Sequence, residues 1–424
     1  MMALTASEAA TGQSPTQAER DWRWGRVRQL MDARGLDGLL VFGSRDRPFA
    51  DHYLTNERCG LTVVFPREGE IAAVGGMGPI TNYAGSYLVS AERGEDTWLA
   101  DVRFGPGVPT IMQVLGDRGL VGKKLGTVGT GYAGVLQPGG WLGYGMWNAM
   151  SKALEGSEIV DVTWDYLVLM LEKSAWDVAH VRRAAAAGEA ACQAMVAACR
   201  PGASEADVFA EGMYALHKRG IRATWMILQS GHNNIGWTEA VWQTRDQEPR
   251  RLEAGDTLEA ELFPHYATQE AQLQLCVALG DLSPEHERCA QVARQAYEVG
   301  LRVLKPGITF ADLCEAMEQP VRELGGWHLT PMVHSLNPLI CVSSFGRGIG
   351  EHVPAFARRF PGVDGRDITG ADVVIRPGMT FAFEPNAHLG RTRINVGGTI
   401  VVTEAGCEEL NQYTNRLIRV AANG

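Results

Sequence analysis

The C-terminal half of this chain is a run of helices with legible starts and stops, and the strand-like segments between them carry its ionisable residues. Ser174-Ala-Trp-Asp177 reads as a capping-box-like start, and Ala-rich sequence carries that helix to Cys199, where Arg200-Pro-Gly202 stops it. Ser204 can cap the next helix and Gly220 can end it. Ser283-Pro284 opens a third, with Pro at the first helical position, and Pro306-Gly307 closes it after about Leu304. Thr309 to Leu324 is a fourth, expected to be shortened or kinked near Pro320. Helices punctuated by antiparallel-looking strands predict an α+β domain over residues 166–424.

The first 165 residues read differently. A polar N-terminal tail, residues 1–18, precedes a helix over Glu19–Arg34 that Gly35 can end. Strand candidates are Asp37–Gly43, Leu61–Phe65, Ile71–Gly75, Lys124–Val128 and Ile159–Trp164, alternating with helical or loop sequence. That pattern predicts an α/β domain over residues 19–165. Gly129-Thr-Gly131-Tyr-Ala-Gly134 matches GxGxxG, but Gln137-Pro-Gly-Gly140 follows where the dinucleotide fold requires a helix, so it is read as a decoy.

Composition narrows the function classes. With 424 residues, two or three domains are expected. The net charge of −10 argues against nucleic acid or an anionic membrane as main partner. None of the eight cysteines forms a CxxC pair, and buried free thiols in a reducing compartment fit them. The tail lacks the basic start and apolar block of a signal peptide, and no apolar run is long enough to span a bilayer, so a cytoplasmic location is expected.

Four segments, GDTLEAELFPHYATQEAQLQ (255–274), SFGRGIGEH (344–352), PGMTFAFEP (377–385) and RINVGGTIVVTEAG (393–406), resemble in order and spacing the signature of the methionine aminopeptidase, aminopeptidase P, prolidase and creatinase superfamily. The resemblance runs from about Trp22 to Tyr413. Tyr53-Leu54-Thr55-Asn56 looks like the creatinase-type N-terminal domain, Glu172-Lys-Ser174 like the domain junction, and Gln229-Ser-Gly-His-Asn233 like the substrate segment. It implies a pita-bread C-terminal domain, a creatinase-type N-terminal domain and a homodimer.

The departures decide the chemistry expected. Where the family's peptidases carry Asp, Asp, His, Glu and Glu as metal ligands, the matching positions are Glu261, Gln272, Arg347, Glu384 and Gly397. Gln272 is neutral, Gly397 has no side chain, and the Arg347 guanidinium does not coordinate a divalent cation. Two metals therefore lack ligands, and the expectation is a metal-independent site with no cofactor. One ion on Glu261, Glu384 and a nearby histidine such as His265 stays open. Creatinase, the family's metal-free branch, uses a histidine that matches Thr238 and carboxylates that match Gln272 and Glu384, so creatine itself is not the expected substrate.

Arg347 is expected in the old metal cavity, paired with Glu261 and Glu384. It either replaces the metal charge or fills the hole as a structural ion pair. His232, His265, His352 and Glu239 are the candidates for moving a proton. Trp237, with Trp225 and Trp242, offers an aromatic wall for an apolar or cationic group, and Arg45 and Arg47 are candidate contacts to an anion. The leading reading is a creatinase-like hydrolase of a small molecule's C–N bond, with Glu261, Glu384, Arg347, His232 and Glu239 catalytic and Trp237, Thr238, His265, Gln272 and His352 binding substrate. The alternatives are a metal-dependent Xaa-Pro-type peptidase or lyase, and a non-catalytic binding protein on the same fold.

Overall fold

The computed structural model describes residues 15–44, 49–95, 97–232, 237–346, 348–362 and 368–422. The expected sites Arg347, Arg45 and Arg47 lie outside them. The chain divides into two compact units, Met1–Met170 and Leu171–Gly424.

In the first unit, strands β1 (Gly38–Val41), β2 (Thr62–Pro66), β3 (Ala72–Gly75), β4 (Asp101–Phe104), β5 (Lys124–Val128) and β6 (Glu158–Asp161) form one mixed sheet, in the order β4-β3-β2-β1-β5-β6. β1 pairs antiparallel with β2 and parallel with β5. Apart from Thr62 and Lys124 at their starts, the central strands β1, β2 and β5 are buried, and Leu40, Phe42, Val64 and Leu125 pack with Ile111, Val114 and Leu115 of the helix Val108–Asp117. β4 escaped the sequence reading because its residues are only half-buried and carry charge, as Asp101-Val-Arg103-Phe. The strand expected over Ile159–Trp164 stops at Asp161, and a helix starts at Thr163. Helix also begins at Pro15, inside the expected polar tail. Residues 129–143 contain no helix, which removes the dinucleotide reading.

The second unit contains two four-stranded sheets. β7 (Met226–Gly231), β8 (Thr257–Leu262), β11 (Leu273–Leu279) and β18 (Ile418–Val420) are ordered β18-β11-β8-β7. β12 (Val333–Leu336), β13 (Thr380–Phe383), β16 (Gly398–Val402) and β17 (Cys407–Glu409) are ordered β12-β13-β16-β17. Among the described residues, two short ribbons complete the set: β9 (His265–Tyr266) with β10 (Gln269–Glu270), and β14 (Asn386–Leu389) with β15 (Thr392–Asn395).

The predicted helix starts are made by side chains. Ser174 accepts from the Asp177 amide, and Ser204–Asp207 and Thr309–Asp312 are reciprocal capping boxes. Each cap contributes about 1 kcal/mol. Pro320 neither ends nor shortens its helix, which runs Phe310–Glu323. The Ala-rich helix Ala175–Ala198 lies against the β7-β8-β11 face, where Met195, Leu216, Leu258, Leu262, Leu275 and Val277 share one core. A Cβ on Gly188 would stand 2.3 Å from Leu273 Cδ1, so the small residues let this helix approach the sheet closely. Among the described residues, no helix is long and apolar enough to cross a membrane.

Candidate active site

The site is built on one β-hairpin whose two faces differ. β8 and β11 pair in register, Leu262 with Leu273 and Glu261 with Gln274, and β9 and β10 extend the same register, His265 with Glu270. Side chains alternate across a strand. Leu258, Ala260, Leu262, Leu273, Leu275 and Val277 therefore face the helices. Glu259, Glu261 and His265 share the other face with Glu270, Gln272, Gln274 and Cys276.

The second sheet supplies the opposing groups. β12 runs antiparallel to β13, with His334 opposite Ala382. Glu384 follows β13 directly, and its amide donates to the Met332 carbonyl at 3.0 Å. The Asn386 amide donates to the carbonyls of Thr330, Pro331 and Glu384, which fixes the backbone on both sides of Glu384.

Glu261, His334 and Glu384 each offer a ligand atom within 4.8 Å of the others, and all three are buried. His334 Nε2 lies 3.5 Å from Glu384 Oε1. Its Nδ1 lies 2.9 Å from the Ser335 carbonyl, which can only accept, so Nδ1 carries the proton and Nε2 faces the carboxylate. Gln274 Nε2 donates to Glu261 Oε1 at 2.7 Å and to Glu384 Oε2 at 3.2 Å. Asn395 Nδ2 donates to Gln274 Oε1 at 3.1 Å, which holds that amide with its N–H2 toward the carboxylates.

Burial raises the pKa of Glu261, with the Glu270 charge adding to it and the Gln274 hydrogen bond, Arg393 and Trp237 opposing. Glu384 is raised well above the usual range by burial and then by Glu261. Two desolvated carboxyls this close keep a shared proton unless a cation replaces it. Deeper along the same face, Glu259 is pushed up to about 7 by burial, against the pull of Arg393. Arg393 Nη1 lies 3.3 Å from Glu259 Oε2, and its guanidinium stacks 4.0 Å over the Trp237 ring. Trp237 in turn hydrogen-bonds to the Glu261 side chain.

These residues fit one divalent cation. Two carboxylates and an imidazole nitrogen are a sound mixed O/N donor set, and one dication neutralises both charges. Among the described residues, the next groups outward, Gln274 and Asn395, are neutral amides, and Gln274 turns N–H2 inward.

Several sequence expectations are corrected. Gln272 is not in the cluster: its backbone exchanges hydrogen bonds with Thr399, and Gln274 meets the carboxylates instead. His334, which the sequence reading did not single out, stands beside Glu384; the Arg347 expectation lies outside the described residues. The sequence held little signal for His334: a four-residue strand, Val333–Leu336, whose pairing with the segment that ends in Glu384 only the structure shows. Gly397 lies against the Phe383 carbonyl, and Asn395 is the residue that reaches Gln274. His265 pairs with Glu270 rather than joining the carboxylates, at 2.6 Å. His232 is exposed beside Asp256 and the Gly255 carbonyl. Thr238 and Glu239 are exposed, and His352 is half-buried on the short helix Ile349–His352 near Gly348. Of the expected substrate-site residues, Trp237 is brought to the carboxylates.

Residues 179–404 match the model of metallopeptidase family M24. The chain is 25% identical over 278 residues to creatinase from Bacillus sp. (strain B-0618), covering 62% of each chain and so less than two thirds of that relative's length. It is 28% identical over 142 residues to methionine aminopeptidase of Escherichia coli (strain K12), covering 29% of this chain and 48% of that one. An Xaa-Pro dipeptidase from Bacillus anthracis superposes with a TM-score of 0.71 at 18% identity, covering 95% of this chain and 100% of the other. An X-Pro aminopeptidase from Thermotoga maritima superposes with a TM-score of 0.69 at 17% identity, covering 94% and 99%. The superpositions establish the fold: an α/β N-terminal unit followed by the α+β pita-bread unit of aminopeptidase P and prolidase. With more than half of its length matched to the family model, the chain belongs to metallopeptidase family M24.

Proposed function

We propose that the protein hydrolyses a C–N bond in a short peptide or small polar molecule, using one divalent cation held by Glu261, His334 and Glu384. The observation that carries this reading is the closed three-donor cluster, whose groups lie within 4.8 Å of one another. When bound, the cation supplies Lewis acidity that polarises the bond under attack. A carboxylate oxygen of Glu384 or Glu261 that the cation leaves unoccupied would accept the proton of the attacking water. Gln274 keeps the carboxylates oriented, and Arg393 offsets charge behind them. The named activities of the relatives, Xaa-Pro peptidases and creatinase, are C–N hydrolyses and agree with this assignment.

A second reading is metal-free hydrolysis. It is favoured by the Gln274 amide, which already bridges both carboxylates without a cation. There the proton shared by Glu261 and Glu384 serves as general acid.

One experiment separates them. Purified protein is stripped of metal, reloaded with Mn, Co or Zn, and offered Xaa-Pro dipeptides, guanidino compounds and simple amides in H2 18O. One ion per chain with turnover dependent on it supports the first reading. Turnover by the stripped protein supports the second. No release of amine and no incorporation of 18O with any preparation would reject both.

A further inference from the structure

The outer end of the polar hairpin face carries a histidine–carboxylate pair that the cluster does not use. His265 Nε2 lies 2.6 Å from Glu270 Oε2, and His265 Nδ1 lies 2.9 Å from the Phe263 carbonyl. A carbonyl only accepts, so Nδ1 carries a hydrogen. A contact of 2.6 Å between Nε2 and a carboxylate oxygen then requires a second proton, on one atom or the other. The pair is therefore either imidazolium with carboxylate or neutral imidazole with carboxylic acid, and both hold one transferable proton.

The pair is a built feature. The Asn337 side chain grips the Glu270 backbone from both sides, accepting from its N–H and donating to its carbonyl, each at 2.9 Å. The His265 backbone pairs with Arg222 at 3.0 and 2.8 Å. The charged or titratable groups packed around the hairpin are Asp177, His180 and Arg183 on the helix Ala175–Ala198, Arg222 beside β9, and Glu261 along the strand.

Its place matters more. The His265 side chain is 11% exposed and Glu270 2%, so the pair spans the border between solvent and the closed cluster. Between it and Glu261–Gln274 on the same face sits Gln272, whose Oε1 is buried without a hydrogen-bond partner. The Glu270 charge is felt at Glu261.

We propose that His265 and Glu270 form a proton relay that serves the C–N cleavage at the Glu261–His334–Glu384 cluster. The inference rests on the hydrolytic function proposed above. As the C–O bond to water forms and the C–N bond breaks, the C–N electron pair passes to nitrogen. Nitrogen takes the proton stored on the pair. The proton of the attacking water, taken first by the Glu261 and Glu384 carboxylates, is then returned to the pair, so each turnover ends with both as they began.

The test uses full-length protein in two arms. The first is 15N NMR of His265 after histidine-selective labelling. The expected result is a hydrogen on Nδ1 and a proton shared between Nε2 and Glu270, with the Nε2 signal altered in Glu270→Gln. An Nε2 that shares no proton with Glu270 in the wild type overturns the relay. The second arm is kinetics with whichever C–N substrate turns over. His265→Ala should lower kcat by about 10²-fold with KM little changed, and added imidazole should recover activity. His265→Gln, which keeps a donor in the hairpin, should fold like the wild type yet stay slow and remove one limb of the pH profile. A wild-type kcat and pH profile in both His265 variants overturns the relay alone. Absence of wild-type turnover on any C–N substrate overturns the hydrolase reading and the relay's catalytic role together.

Discussion

Asn395 donates to Gln274 at 3.1 Å and thereby aims the Gln274 N–H2 at Glu261 and Glu384. An amide proton thus lies where a neighbouring carboxylate would otherwise repel both acids. Gln274→Leu, similar in volume, removes that donor and leaves Glu261 and Glu384 without their shared bond. The expected loss is about 1–3 kcal/mol of stability above neutral pH. It should shrink in acid, where both carboxyls are protonated. Denaturant melts of the metal-free variant at two pH values check this, and an equal loss at both would contradict the donor role.

Cation binding should follow the three-donor cluster. His334→Ala and Glu384→Gln each remove one donor and should abolish the single equivalent bound by the wild type, as read by calorimetry. Thr238→Ala and Glu239→Gln, on exposed positions, should leave it intact. Because only the folded state presents the cluster, metal at about 100 times Kd should raise wild-type stability by about 2.7 kcal/mol. The His334 and Glu384 variants should show no such rise in Tm.

Burial of Glu259 gives stability a definite pH dependence. Its carboxyl ionises at about 7 in the folded chain, against 4.5 for a solvated glutamate. Below 4.5 it is protonated folded or unfolded and costs nothing. Between 4.5 and 7 the unfolded chain ionises first, so stability falls as pH rises, by at most about 1.4 kcal/mol per unit for this group. Above 7 the loss is complete and constant. Glu261 and Glu384 act with the same sign. Glu259→Gln should flatten part of that slope in urea melts from pH 4.5 to 7. It also strips Arg393 of its carboxylate, so the flattening should come with a lower plateau.

The architecture was legible because it follows from short-range signals. Caps at Ser174, Ser204, Ser283 and Thr309 mark helix starts whatever the tertiary context. The alternation Glu259-Ala-Glu261-Leu against Gln272-Leu-Gln274-Leu marks a strand pair with one polar face. What that alternation leaves open is which polar residue of a face sits opposite which. Gln272 and Gln274 share a face, and only the pairing of Glu261 with Gln274 separates them. Likewise, motif spacing alone favoured Gly397, whereas Asn395 lies two residues earlier in a different ribbon, and its side chain crosses to Gln274. His334 was hidden because its only local context is a four-residue strand, and its value comes from lying beside Glu384 across a long loop.

Gly397 and Asn395 also yield a sharp contrast. The Gly397 φ of 149° and a would-be Cβ only 1.8 Å from the Phe383 carbonyl leave no room for any side chain. Gly397→Glu should therefore not add a carboxylate to the cluster. It should push apart β13 and β16, which pair Phe383 with the adjacent Gly398, and break the Gln274–Gly397 bridge. A loss of more than about 3 kcal/mol, or failure to fold, is expected. Asn395→Asp places its charge on the ribbon that already reaches Gln274, in a side chain of nearly unchanged size. It should fold, lose the Nδ2 donor, and let the Gln274 amide turn its oxygen toward the carboxylates. Cation affinity should then change while the fold holds, which calorimetry and circular dichroism read together. A folded Gly397→Glu protein with tighter cation binding than Asn395→Asp would show that the backbone near Gly397, rather than Asn395, borders the site.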